Sequence, residues 1–145
     1  NSTKGGLIVE ENDVDNNEIK IIKVTTLDNF LKHNKLEIDN DSKIFIKVDI
    51  EGYDINAIYG SKDIIKNYFT VILVEFSKMA VSSEIYSKTN FDNFLRENNL
   101  IILDIYGKKY SLENLHEMLD KLKGNHQVCG NFLIVKKSLI TKLEF

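Results

Sequence analysis

The chain has 145 residues, 19 of them basic and 22 acidic, for a net charge of -3 and a pI of about 5.6. Its 43% hydrophobic and 28% charged residues suit a single globular domain over 1–145 and exclude a largely disordered chain. The acidic balance argues against nucleic-acid binding through phosphate contacts. Val71-Ile72-Leu73-Val74 is as long as any uninterrupted apolar run, far short of the roughly 20 residues that span a bilayer, so no membrane partner is expected.

Cys129 is the only cysteine. A lone thiol closes no internal disulfide, nothing points to an oxidising compartment, and a cytoplasmic location is expected. His33, His116 and His126 lack metal-ligand spacing and read as surface residues. There is no proline, so turns must be read from Gly, Asn and Ser.

In chain order, Gly5-Gly6 and the acidic stretch from Glu10 to Glu18 read as a hairpin or loose excursion feeding a strand over Ile19–Val24. Thr26 caps a short helix with Asp28 in its first turn, where the helix dipole favours an anion. Asn34–Ser42 is a loop. Ile44–Ile50 is a strand whose Ile44, Phe45 and Ile46 are apolar without alternation, the pattern expected when helices cover both faces of a parallel sheet. Gly52 turns the chain into a helix over Asp54–Tyr59. Gly60 stops it, and Ser61 with Asp63 opens another to about Tyr68. Thr70–Phe76 is the next strand. Thr89-Asn90-Phe91-Asp92 matches a capping box and opens a helix with Phe91, Phe94 and Leu95 inward. Leu100–Tyr106 is a strand. Tyr106-Gly107-Lys108-Lys109-Tyr110 reads as a polar turn or as a stacking platform. Ser111 caps a helix carrying Leu112, Leu115, Met118, Leu119 and Leu122 at helical spacing; Gly124 ends it, and Asn131–Val135 closes the chain's sheet. Repeated strand–helix units predict an α/β fold with a mostly parallel sheet and right-handed crossovers. Ile44–Ile50 and Thr70–Phe76 are expected to be adjacent, parallel and central.

Ligands in open α/β sheets bind outside the carboxyl ends of the strands. There the strand from Ile44 carries Lys47, Asp49 and Glu51, whose spacing of two puts them on one face. Asp54 follows in the next helix, and the neighbouring strand ends in Glu75. Charges gathered this way are costly unless they pair or meet a ligand. The bland alternative is that Lys47 neutralises Asp49, that Asp54 serves the helix dipole, and that Glu51 and Glu75 are solvated.

Lys47-Val48-Asp49-Ile50-Glu51-Gly52-Tyr53-Asp54, followed by Ile55, Ile58 and Gly60-Ser61, resembles the signature segment of the FkbM-type S-adenosylmethionine-dependent methyltransferases. Thr26-Leu27-Asp28, the strand ending in Glu75 and the strand Asn131–Val135 resemble flanking segments of that family. The resemblance implies a Rossmann-like, class I methyltransferase fold whose last strand inserts antiparallel between its predecessor and the central pair. It implies S-adenosylmethionine as cofactor and O-methylation of a small-molecule or glycan hydroxyl. Asp54 stands where the family usually has glutamate. No Gly-rich cofactor loop precedes Ile44, so the resemblance covers the C-terminal part of such a domain. The cofactor-binding residues are then expected upstream of Asn1, in an N-terminally truncated unit.

Asp49 and Glu51 are placed to accept the hydroxyl proton or to hold a divalent ion, with Lys47 keeping Asp49 ionised; Asp54 and Glu75 are substrate or metal candidates. Two rivals stand beside this reading. One is a metal-dependent phosphoryl-transfer or nuclease-like enzyme using Asp49, Glu51 and Glu75. The other is a non-enzymatic interaction domain. A half-sheet ending at Ile44–Ile50 would leave Ile46, Val48 and residues near Ile19–Val24 under-covered and prone to self-association through the sheet edge.

Overall fold

A computed structural model describes residues 23–50, 52–77, 80, 86–122 and 130–140. The elements in order are α1 (Leu27–His33), β1 (Lys43–Val48), α2 (Asp54–Tyr59), α3 (Lys62–Asn67), β2 (Phe69–Phe76), α4 (Lys88–Glu97), β3 (Leu100–Asp104), β4 (Lys109–Tyr110), α5 (Leu112–Leu122), β5 (Gly130–Lys136) and α6 (Lys137–Ile140). The predicted strand over Ile19–Val24 lies almost wholly outside the described residues, and Lys23 and Val24 are not in a strand. The helix stop at Gly124 also lies outside them. Among the described residues no helix is long and apolar enough to cross a membrane.

The strands form a five-stranded sheet in the order β1-β2-β5-β3-β4. β1 and β2 are adjacent and parallel, pairing from Lys43 opposite Phe69 to Val48 opposite Val74. β5 runs antiparallel between β2 and β3, as the family resemblance implied. The expectation of a mostly parallel sheet needs correction. The sheet is mixed, with one parallel pairing and three antiparallel ones, because the last strand is inserted rather than appended and β3 folds back on β4. That hairpin replaces the expected extension of the strand to Tyr106. Asp104 builds it: its carboxylate accepts from the backbone N–H of Tyr106 and of Lys108, and Gly107 supplies a φ of 86°.

A second correction concerns position. Among the described residues β1 stands at the edge of the sheet rather than at its centre, and the strand predicted over Ile19–Val24 lies almost wholly outside them. A third concerns layers. Ile55, Ile58, Ile65, Phe91, Phe94, Leu95, Leu115 and Leu119 from α2 to α5 share one core cluster with Val48, Ile72, Val74, Phe76, Ile102, Phe132 and Ile134. The register places those strand residues on a single face. Val48 is therefore buried and Ile46 packs against the core, contrary to the expectation that they would be under-covered. On the other face Phe45, at 63% exposure, and Phe69 are open, whereas Leu103 and Val135 are buried.

Side-chain caps open three of the described helices, whereas Tyr53 and Ser61, at the starts of α2 and α3, make no such bond and the Ser61 hydroxyl donates instead to the Ala57 carbonyl. Thr26 accepts from Asn29 N at 3.1 Å to open α1, and Ser111 accepts from Asn114 N at 3.1 Å to open α5, both as expected. The opening of α4 is corrected by one half-turn: Ser87, not Thr89, is its N-cap, accepting from Asn90 N.

Candidate functional site

The parallel pair β1–β2 sends its carboxyl ends to one edge of the sheet, and the charged residues sit there because the strand sequences turn from apolar to charged at those ends. Lys47 is opposite Leu73, so Lys47, Asp49 and Glu75 share the face that faces away from the helices. The Lys47 ammonium donates to Asp49 Oδ2 at 2.7 Å, with the two side chains 61% and 46% exposed. That hydrogen bond and the Asp49 charge hold Lys47 above its ordinary pKa, partly opposed by desolvation, with a further upward push from the charge of Glu75. Three of the expected groups are thus brought together. Glu51 lies outside the described residues, as do Cys129 and His126.

Asp54 goes elsewhere. It is 2% exposed, and its Oδ1 accepts from Ile50 N at 3.2 Å while Oδ2 accepts from Gly52 N at 3.0 Å. It folds back from the first position of α2 and closes the strand-to-helix turn, where Gly52 adopts a φ of 107°. A buried carboxylate satisfied by backbone amides is a structural clamp, so Asp54 leaves the set of substrate or metal candidates. Its role also uses up the N–H groups of Ile50 and Gly52, which removes them as donors to a ligand.

One polar constellation was not legible in the sequence. His116, read there as a surface residue, is only 16% exposed at its side chain and pairs through Nε2 with Asp92 Oδ1 at 2.8 Å, joining α5 to α4. The hydroxyls of Tyr59 and Tyr86 are buried nearby, both felt by the Asp92 charge. Burial first, then Asp92, Asp120 and Tyr59, push Tyr86 up to about 12. The available signal was positional: Asp92 follows the buried Phe91, and His116 follows the buried Leu115, so both lie on the flank of an inward helix face. His33, by contrast, is on the surface as expected and donates through Nδ1 to the Asn29 carbonyl at 2.7 Å.

Among the described residues no group of three or more His, Cys, Asp or Glu side chains is gathered to hold a metal ion. The described turn after β1 offers no Gly-rich cradle with free backbone donors. The family model for the methyltransferase FkbM domain matches residues 2–125. Neither the curated proteins nor the solved structures gave a match.

Proposed function

Since the chain belongs to the FkbM methyltransferase family, we propose that it supplies the acceptor side of an S-adenosylmethionine-dependent O-methyltransferase, with Lys47, Asp49 and Glu75 at the acceptor. The acceptor class is a hydroxyl on a sugar or other small molecule, and the compartment is the cytoplasm. The observation that carries the reading is the Lys47–Asp49 pair at the open carboxyl end of β1, beside Glu75 at the end of β2.

Methyl transfer to a hydroxyl asks for in-line positioning and a base for the departing proton. Asp49, hydrogen-bonded to Lys47 and 46% exposed, can accept that proton directly. Glu75 offers a second oxygen acceptor to orient the hydroxyl. The described residues do not fit the cofactor: Asp54 occupies the turn's amides, and no glycine loop stands at the strand end. In this reading the cofactor is held by the other half of a Rossmann-like, class I domain. Its support is the exposure of Phe45 and Phe69 on the sheet face turned away from α2 to α5.

Calorimetric titration of the 145-residue chain with S-adenosylmethionine tests the division of labour. No measurable binding is expected, and tight binding would overturn it. In a protein with the complete domain, Asp49→Asn should lower methyl transfer about 100-fold or more while leaving cofactor affinity in place. Undiminished turnover would remove Asp49 from the chemistry.

A further inference from the structure

Two carboxylates at neighbouring strand ends, both on one face, are the usual makings of a hard-cation site. Here a cation is already built in. Lys47 projects from the same face, two residues before Asp49 on β1 and opposite Leu73, which is two residues before Glu75 on β2. Its ammonium lies 2.7 Å from Asp49 Oδ2. The lysine stem is long and flexible, and its three N–H donors can serve more than one acceptor. We propose that Lys47 is a resident counter-cation shared by Asp49 and Glu75, and that it stands where this pair of carboxylates would otherwise recruit a divalent ion.

The proposal rests on reading these strand ends as the acceptor site and says how that site is compensated. Lys47 acts there as a positioning residue. It fixes the Asp49 carboxylate on the sheet face and offsets the charge of Glu75, whose field it feels. An incoming hydroxyl then meets carboxylates that are already oriented. A mobile divalent ion would have to compete with an ammonium tethered through its own chain, and like charges at contact distance repel.

Manganese supplies the test, through paramagnetic broadening of backbone amide signals in the 145-residue chain. The wild type should show no broadening centred on Asp49 and on Glu75. Lys47→Met keeps the stem and removes the charge; at 61% exposure it leaves the core intact, which circular dichroism checks. This variant should bind Mn2+ at those strand ends at least about tenfold more tightly than the wild type. Adding Asp49→Asn or Glu75→Gln to Lys47→Met should abolish the gain. Lys47→Arg, which keeps the charge, should behave as the wild type. Two results would overturn the proposal: broadening in the wild type that Asp49→Asn removes, or no gain of binding in Lys47→Met. No methyl donor is present in these samples. Failure here therefore leaves the methyltransferase reading standing, and failure of the S-adenosylmethionine experiments leaves this result readable.

Discussion

Asp54 is 2% exposed and holds the N–H groups of Ile50 and Gly52, whereas the Asp49 side chain is 46% exposed and holds only a lysine head. Burial decides what each substitution does. Asp54→Ala strands one buried and one part-buried backbone donor and should cost about 2 kcal/mol in urea unfolding. Asp54→Asn should recover little, because its amide group would face a donor with a donor. Asp49→Asn breaks an exposed pair and should shift stability by less than about 1 kcal/mol. Equal losses at the two positions would contradict this assignment of roles. Tyr86 makes a pH-dependent counterpart. Its folded pKa is raised from 10.0 to about 12, so the unfolded chain releases this proton first on alkaline titration. The unfolded state then binds fewer protons than the native state, and stability falls as pH rises from about 10 to about 12, levelling off above that window. Tyr86→Phe should flatten this part of the stability profile; an unchanged slope would place the burden on other groups. The sequence could show that charges cluster near Gly52, since charge and spacing are local. It could not show that Asp54 turns inward, because that depends on where the unpaired amides of the turn point.

At the scale of elements, segments that read as separate motifs are one joint. Asp28 N donates to the Gly60 carbonyl at 3.1 Å. The Asp28 carboxylate accepts from Asp63 N at 2.9 Å and Ile64 N at 3.2 Å, so α1 caps the start of α3. The sequence placed Asp28 in its own helix's first turn, which is correct, but its partners lie on another element and were invisible to a local rule. Gly60 completes the joint. A Cβ there would meet Thr26 Cβ at 3.0 Å, Thr26 Cγ2 at 3.1 Å and Asn56 O at 3.3 Å. Thr26-Leu27-Asp28 and Gly60-Ser61 thus occur together because they dock on each other. Gly60→Ala should destabilise by about 1–3 kcal/mol through overpacking. In a Thr26→Ser background, which keeps the capping oxygen and removes Cγ2, the cost should be smaller. An equal cost in both backgrounds would mean that Thr26 Cβ or Asn56 O, not Thr26 Cγ2, sets the limit. Elsewhere the legible helices were those with a strong inward face, such as α4 and α5. The hairpin through β4 was missed because its strand pairs only Lys109 and Tyr110, too short for alternation to register.

For the whole molecule, the run Ile44-Phe45-Ile46 carried a prediction of helices on both sides of the sheet, and α2 to α5 pack on one. The other side holds Phe45 at 63% exposure and Phe69 at 41% toward its β1–β2 end, with Val71, Leu73, Ile101 and Leu133 half-buried and Leu103 and Val135 buried beyond them. Nothing in strand alternation says whether a second layer belongs to the same segment, so this feature was legible as a need and not as an outcome. Exposed rings such as Phe45 and Phe69 on β1 and β2 favour association. Lys43 neighbours Phe45 on β1 and opposes it by like-charge repulsion between copies, whereas Lys47 is neutralised by Asp49. Association of the chain should accordingly be weak at low salt and strengthen as salt screens Lys43, a trend opposite to that of an ion-paired interface. Phe45→Ser should shift sedimentation toward the monomer at every salt concentration. It should do so with little loss of stability, since the ring lies outside the helix-packed cluster. A chain that stays monomeric in high salt, unfolds cooperatively and binds no hydrophobic dye would show that this face is already satisfied. That result would sink the view that it receives the rest of a cofactor-binding domain.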